Sequence, residues 1–281
     1  MPLAYGLTEP VDLALSGLPQ ALDGLRIAHL TDLHVHRQTR RLDRLINQLA
    51  KVRIDLGVLT GDYGLKHRPK APAIDFLKRL TAAVKPSMGW VGIFGNHDTA
   101  DLIEQAQDLP ITWLENRAVA LPQAPIDILG LTERAGNIRP DGVVAALSAA
   151  ELSAGLSAAP LAASRQPRLR LALAHRPDDL ALCADLGADF VLAGHTHGGQ
   201  VRLPMGFALF NSSDLPLHLS CGLMRHRDTI CAVARGVGST DLMQLPIFPR
   251  IFCPPHVPIY TLHPGPTPGE PTDSIQCIQR W

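Results

Sequence analysis

Two histidines stand one residue apart at the end of an apolar run, in the segment DFVLAGHTHGGQ at 189–200. The run has the length and the Val and Leu content of a buried β-strand. A strand that ends in His195 and His197 would bring two imidazoles to one place, where they can bind a metal ion. The alternative is an ordinary polar strand end that meets water, and the rest of the chain has to decide between the two.

Four other apolar runs stop in the same abrupt way at polar side chains: LRIAHLTDLH (25–34), LGVLTGD (56–62), WVGIFGNHD (90–98) and LRLALAH (169–175). The polar residues at these ends are Asp32, His34, Asp62, Asn96, His97, Asp98 and His175. In open α/β sheets, ligands bind outside the carboxyl ends of the strands. Carboxylate, amide and imidazole ligands without thiolate favour Mn, Fe, Zn or Co over Ca or Mg.

Taken singly, several of these signals have ordinary explanations. The pair Asp32 and His34 can be a helix cap followed by an exposed histidine, and Gly61-Asp62 is a common strand-to-turn pair. His175 alone can be a strand-end histidine with its hydrogen bonds made. GNHD (95–98) and GHTHGG (194–199) are more specific, and the ordered set predicts a metal site at one edge of a sheet.

The segments between these runs predict the elements that position the polar ends. RRLDRLINQLAKVRID (40–55) and PAIDFLKRLTAAV (72–84) carry apolar residues at helical spacing. Alternation of strand and helix predicts a largely parallel α/β sheet. A further helix is predicted over 142–154, short β-like runs follow residue 200, and the Pro/Gly-rich tail is expected to be poorly ordered.

Composition sets wider limits. The chain has 281 residues with 26 basic and 26 acidic side chains, so no net charge attracts nucleic acid. The five cysteines are scattered, without a CxxC pair, which fits a reducing compartment. The N-terminus lacks the pattern of a signal peptide, and no apolar run is long enough to span a membrane. We therefore expect a cytoplasmic protein, with peripheral contact to the inner face of the membrane as an open alternative.

The motifs DLH, GD, GNHD, LAH and GHTH, in this order, resemble the signature of the calcineurin-like metallophosphoesterases. The resemblance runs from about residue 25 to about 263, and GHTHGGQVRLP is similar to the bacterial branch with YkuE-like phosphoesterases and a UDP-diacylglucosamine pyrophosphohydrolase. It implies an α/β fold, a two-sheet β-sandwich flanked by helices. The implied boundaries are an N-terminal extension over 1–24, one domain over 25–264 and a tail over 265–281.

The resemblance also implies an enzyme with two divalent metal ions per chain, Mn in the first place, with Fe, Zn or Co as alternatives. Carried over by position, Asp32, His34 and His197 would hold one metal, Asn96, His175 and His195 the other, and Asp62 would bridge them. A hydroxide between the metals would attack phosphorus in a phosphoester or diphosphate bond. The alternatives are a pyrophosphohydrolase acting on a UDP-linked acylated sugar of lipid A synthesis, and a non-catalytic scaffold.

Other residues carry expectations about the substrate, which is a phosphorylated small molecule or a lipid-linked one. His97 would face it as the catalytic histidine, although the position that often holds an orienting Asp in relatives is Leu65 here. His36 and Arg37 can bind a phosphate or form part of a solvated basic face. His226 can contact substrate or lie on a surface hairpin. LPIFPRIFCPP (245–255) can line a lipid tail or pack on the core. The sequence leaves the oligomeric state undetermined.

Overall fold

Two β-sheets form the protein, as seen in a computed structural model that describes residues 7–133, 167–240 and 250–281. The first sheet has the order β1 (Thr8–Leu15), β12 (Val257–Pro264), β2 (Leu25–Leu30), β3 (Leu56–Thr60), β4 (Trp90–Ile93) and β5 (Thr112–Trp113). The second has the order β13 (Gln276–Gln279), β10 (Gly222–His226), β11 (Thr229–Val233), β9 (Phe190–Ala193), β8 (Leu169–Ala174), β7 (Ile126–Leu131) and β6 (Arg117–Leu121).

The inner faces of the two sheets pack on each other. Ile27, Val58 and Val91 from the first sheet share one apolar cluster with Leu171 and Phe190 from the second. Alternate residues of each strand point into this layer, as the two-residue repeat of a strand requires. The arrangement confirms the expected two-sheet sandwich.

Helices cover the outer faces of the sandwich. Helices α1 (Arg40–Leu49), α2 (Ala71–Ala83) and α3 (Ala100–Ala106) bury apolar residues on the first sheet, and α4 (Leu180–Asp185) does so on the second. Helix α1 starts where the Thr39 side chain accepts a hydrogen bond from Leu42 N, which satisfies one free N–H of its first turn. The helix predicted over 142–154 lies outside the described residues. In the described ranges, every helix is too short or too polar to cross a membrane.

Parallel pairing brings the strand ends together. Strands β2, β3 and β4 run parallel to one another, as do β7, β8, β9 and β11. Each of the five strands expected from the sequence is present and ends before the polar residues of its segment, with β2 ending at Leu30 and β9 at Ala193. The polar residues therefore lie in loops just beyond the carboxyl ends of the strands.

The chain termini take part in both sheets. Strand β1 pairs in parallel with β12 over eight residues, from Thr8 with Val257 to Leu15 with Pro264, so the expected N-terminal extension supplies an edge strand. The C-terminal tail supplies β13, which pairs with β10. Strand β13 lies beyond the Pro/Gly-rich segment PGPTPGEPTDS (264–274) for which poor order is expected, and it was not predicted from the sequence.

Candidate metal centre

Strained backbone marks the loops beyond the strand ends. Asp32, His34, Asp62, His195 and His197 have φ values of 48°, 42°, 59°, 67° and 51°, in the left-handed region. Residues other than glycine reach this region at a cost of about 1–3 kcal/mol each, and do so mainly where function holds them there. All of them belong to the metal-ligand set predicted from the sequence.

Backbone hydrogen bonds lock these loops against one another. Those between the loops after β2 and β3 are Asp32 N to Gly61 O at 3.0 Å, His34 N to Asp62 O at 3.0 Å and Val35 N to Tyr63 O at 2.8 Å. Across the two sheets, the Asp32 carboxylate accepts a bond of 2.9 Å from His195 N. The site is therefore built on bonds that join both sheets.

One group of donors consists of Asp32, His34 and His197. The two Nε2 atoms of the histidines are 3.1 Å apart, and Asp32 Oδ1 lies 3.4 Å from Nε2 of His197 and 3.9 Å from Nε2 of His34. Asp32 Oδ1 is buried and has no hydrogen-bond partner among the described residues. A buried carboxylate oxygen without a partner is costly, and a cation between these atoms would satisfy it.

A second group consists of Asn96, His175 and His195. Nε2 of His175 lies 3.0 Å from Asn96 Oδ1 and 3.3 Å from Nδ1 of His195. The other ring nitrogens lie 2.8 Å from Thr60 O and 3.0 Å from Ser212 O. A carbonyl accepts only from N–H, so the lone pairs of His175 and His195 face the centre of the group, as metal binding requires.

Asp62 stands between the two groups. Its Oδ2 lies 3.6 Å from Nε2 of His34 and 3.4 Å from Nε2 of His175, while its Oδ1 accepts a bond of 2.8 Å from His97 N. Its donor atoms cluster with those of Asp32 and His175, and with those of His34 and His97, each set lying within 4.8 Å. The position fits a carboxylate shared by two cations.

The electrostatics of the cluster suit metal ligands. Burial lowers the pKa of His34 and of His195 to about 3, and burial together with His34 holds the pKa of His197 well below its usual range. Burial alone would raise the pKa of Asp62, but His175 and His34 hold it well below its usual value. Burial likewise opposes the charge on His175, but Asp62 raises its pKa to about 10. His34, His195 and His197 are thus in the neutral form that binds metal ions and Asp62 is ionised, whereas His175 must lose a proton before it can bind one.

Asp98 holds the loop that carries Asp62. Its Oδ2 accepts hydrogen bonds from Asp62 N at 2.7 Å and Gly95 N at 2.9 Å, and its Oδ1 accepts one from Tyr63 N at 2.8 Å. The carboxylate is buried, and α3 begins two residues later, after its cap residue Thr99. Asp98 therefore fixes the left-handed turn at Asp62 by accepting backbone bonds.

His97 lies at the edge of the cluster. Its ring meets that of His34 edge to face, with the centroids 5.0 Å apart, and its Nδ1 is buried without a hydrogen-bond partner among the described residues. Leu65, at the position of the usual orienting carboxylate, is a buried apolar side chain. In the described part of the chain, His97 is thus oriented by its backbone bond to Asp62 and by packing.

Two glycines allow the loops to approach closely. A Cβ atom at Gly194 would overlap Thr31 Oγ1 and Asp32 Oδ2, and one at Gly95 would overlap Asp62 Oδ1. These positions explain why GNHD and GHTH contain glycine directly before the ligands.

The candidate substrate residues are not all brought to the centre. His36 and Arg37 are exposed in the loop between β2 and α1, and His36 Nδ1 lies 3.4 Å from His34 O. His226 is buried in β10 and pairs with Thr229 at the start of β11, whereas the centre lies beyond the other end of β11. The structure therefore separates His226 from the predicted metal ligands along the length of the sheet, and burial excludes the alternative of a surface histidine.

The sequence reasoning missed two arginines beside the ligands. The Nε of Arg176, the neighbour of His175, donates to both Glu133 oxygens at 2.9 Å, and the Arg176 side chain is 34% exposed. Nη2 of Arg250 lies 3.3 Å from Nδ1 of His197 and donates to Arg235 O at 2.7 Å. Arg176 could have been found from its position next to His175, but no local sequence pattern indicates that Arg250 lies near His197.

The segment predicted as an apolar wall or a core element is described from residue 250 onward. Cys253 is buried and its Sγ lies 3.2 Å from His197 O, so this part of the segment packs against the ligand loop. Ile251 and Phe252 are exposed. Residues 245–249 lie outside the described residues.

Comparison with known proteins gives consistent results. The sequence profile of the calcineurin-like phosphoesterases matches residues 25–199. Phosphodiesterase YaeI of Escherichia coli is 30% identical over 241 residues, which cover 80% of each chain. The uncharacterized metallophosphoesterase YkoQ of Bacillus subtilis is 26% identical over 236 residues, again 80% of each chain. The UDP-2,3-diacylglucosamine pyrophosphatase LpxG of Chlamydia trachomatis is 24% identical over 223 residues, which cover 65% of this chain and 66% of that protein.

Proposed function

The chain belongs to the calcineurin-like phosphoesterase family, and we propose that it hydrolyses a phosphoester or diphosphate bond with two divalent metal ions. One observation carries this proposal. Two groups of mostly buried donors meet at Asp62, the first of them around an Asp32 oxygen that has no partner in the described structure.

The donor groups support a specific division of ligands. Asp32, His34 and His197 would hold one metal, Asn96, His175 and His195 the other, and Asp62 would contact both. Oxygen and imidazole donors without thiolate suit Mn, Fe, Zn or Co, and we propose Mn. The carbonyls of Thr60 and Ser212 support the ring orientations of His175 and His195 from outside this set.

The metals would supply a water that ionises near neutral pH and positive charge for the phosphoryl oxygens. The side chains of the chain would then handle the substrate. His97 is near enough to the ligand group to stabilise a phosphoryl oxygen or to give a proton to the leaving oxygen. Arg176, held by Glu133 beside His175, and Arg37, in the loop after His34, can bind a phosphate oxygen through their exposed guanidinium groups.

Two substrate classes remain within this reaction. A phosphodiester agrees with the name of the relative YaeI, and the diphosphate bond of a UDP-linked acylated sugar agrees with the name of LpxG. A specific feature favours a lipid-linked substrate as the second candidate, because exposed apolar side chains follow the ligand loop at 203–210. A non-catalytic scaffold fits poorly, since the predicted ligands are all present and those just described converge.

We also propose that the protein works in a reducing compartment, the cytoplasm. The five cysteines are all free, and four of them are buried, with Cys183 and Cys231 inside the cluster under α4. Burial raises the pKa of both thiols above its usual value, so these side chains stay protonated and act as apolar packing residues.

The test combines metal content with hydrolysis. Purified protein should bind about two metals per chain and cleave bis(p-nitrophenyl) phosphate or a UDP-linked acylated sugar when Mn is added. Cleavage confined to the UDP-sugar would select the lipid precursor, and cleavage of the small diester alone would select a broad phosphodiesterase. Less than one metal per chain, with neither compound cleaved, would contradict the proposal.

A further inference from the structure

Exposed apolar side chains are concentrated on one part of the surface. We call this part the apolar rim, and it consists of Leu203, Met205, Phe207, Leu209, Phe210, Ile251 and Phe252. Among the described residues, the large apolar side chains that are well exposed all belong to the rim except Leu217. Met205 is 84% exposed and Phe252 is 62% exposed. A contiguous exposed apolar surface of this kind marks an interaction site.

The backbone of the rim holds these side chains outward. Leu203 N donates to Phe207 O at 2.8 Å and Gly206 N donates to Leu203 O at 2.9 Å, which closes a tight turn around Met205. Gly206 has a φ of 82°, which the turn requires and which glycine adopts without strain. Val201 is bridged to Ile251, so the second part of the rim lies directly beside the first.

The rim is attached to the metal centre at both ends. It begins soon after the loop of His197, where Gly199 packs against Ala208. It returns to Ser212, whose carbonyl accepts the hydrogen bond from His195. The apolar surface therefore borders the same loop that carries two of the proposed metal ligands.

Positive charge borders the rim. Residues 203–213 contain no charged side chain, and the first acidic one after them is Asp214. The guanidinium of Arg280 lies 5.9 Å from the centre of the Phe207 ring. Uncharged apolar side chains with an arginine at their edge match a bilayer, because the acyl layer takes the apolar side chains and the anionic phosphates attract the arginine.

We propose that the apolar rim docks on an anionic lipid bilayer and so brings the metal centre to a phosphorylated lipid at the membrane surface. The lipid substrate extends the proposed function and rests on it. The docking itself is independent of turnover, because it uses residues outside the metal ligands. Insertion of Met205 and Phe207 into the interface would bury apolar surface, and Arg280 would remain at the level of the phosphates.

The experiment measures binding of the full chain to vesicles by co-sedimentation. We expect binding to vesicles of phosphatidylglycerol and phosphatidylcholine in equal parts, and much weaker binding to phosphatidylcholine alone. The double variant Met205→Ser/Phe207→Ser should weaken binding by about tenfold or more, since two large apolar side chains no longer insert. Arg280→Ala should weaken it about fivefold, with less dependence on salt. Leu217→Ser, a control of similar exposure to Phe207, should change it less than about twofold.

Three outcomes would overturn the proposal: equal binding of the double variant and wild type, no binding to either vesicle, or a dimer in solution that only the double variant dissociates. The last result would assign the rim to contact between two copies. Hydrolysis of bis(p-nitrophenyl) phosphate and of the UDP-linked acylated sugar, both measured without vesicles, separates this proposal from the proposed function. Vesicle binding without any hydrolysis would leave docking intact and contradict the function, and hydrolysis without vesicle binding would do the reverse.

Discussion

Removal of the Asp98 carboxylate is the perturbation for which the structure gives the clearest magnitude. This carboxylate accepts hydrogen bonds from the backbone N–H groups of Asp62, Tyr63 and Gly95, all of them buried. In Asp98→Ala the three donors lose their acceptor, and water that enters the new space can replace only part of it. A buried donor left without a partner costs about 1–3 kcal/mol. We expect a loss of about 3–6 kcal/mol, a large part of the roughly 5–15 kcal/mol that stabilises a typical domain.

The variant Asp98→Asn refines the expectation. The amide oxygen can take the place of Oδ2, which receives the bonds from Asp62 and Gly95, whereas the amide nitrogen would face the N–H of Tyr63. One bond is lost and two donors meet, so we expect a loss of about 1–3 kcal/mol. The loosened turn at Asp62 should also weaken Mn binding by about 10–100-fold, as is usual when a group that orients a metal ligand is removed.

Urea unfolding with a chelator present measures the stability difference without a contribution from bound metal. Mn titration by calorimetry then measures the affinity of variants that remain folded. Asp12→Asn is the matched control, because the Asp12 side chain is 82% exposed and should change stability by less than about 1 kcal/mol. An Asp98→Ala protein with the urea midpoint of wild type would refute the view that this carboxylate holds the site.

Four further substitutions test the centre. Asp62→Ala should abolish hydrolysis and leave less than two metals per chain by metal analysis, because it removes the carboxylate between the donor groups; retained activity would contradict the shared ligand. His97→Ala should keep the metals but slow turnover about 10²–10⁴-fold, most for poor leaving groups, and an equal loss for all esters would argue against proton donation. Arg176→Ala should raise KM about tenfold in steady-state assays with little change in kcat, whereas the exposed Arg53→Ala should not. Gly194→Ala should destabilise the protein by about 1–3 kcal/mol in urea unfolding, because its methyl group would overlap atoms of the ligand loop; an unchanged midpoint would show that the loop can shift.

The sequence predicts the central elements because they are governed by local rules. Buried parallel strands are short apolar runs, and the loops after them begin with polar residues that water or a ligand must satisfy. Helices α1 and α2 follow from apolar spacing, and the structure buries the expected stripe, including Leu45 and Leu49. The order of the polar ends predicts one site at the edge of one sheet, but β2, β3 and β4 belong to the first sheet and β8 and β9 to the second. The predicted donor residues come together where the carboxyl ends of both sheets meet, while the metals they would hold stay a prediction.

The remaining features depend on contacts between distant parts of the chain. Strand β13 consists of four residues whose strand conformation depends on pairing with β10. Arg250 reaches His197 across 53 positions, and no periodicity links the two. The sequence leaves the place of His226 open, because the register that sets it at the far end of β10 is decided by pairing with β11. Pairing of this kind is specified by the whole sheet rather than by the strand itself.

Hydrogen bonds from other parts of the chain hold the strained residues of the site in place. A left-handed conformation at Asp62 is unfavourable by itself, so the chain must stabilise it from elsewhere. The Asp98 carboxylate stabilises it by accepting a hydrogen bond from Asp62 N. The His34 N–H, in the loop after β2, stabilises it by donating to Asp62 O. Such a site is held in the geometry for metal binding before the metals arrive, so little reorganisation opposes their binding. The same reasoning explains why the apolar rim lies next to the centre, since a loop tied to His195 and His197 keeps a fixed position relative to the site it would bring to the membrane.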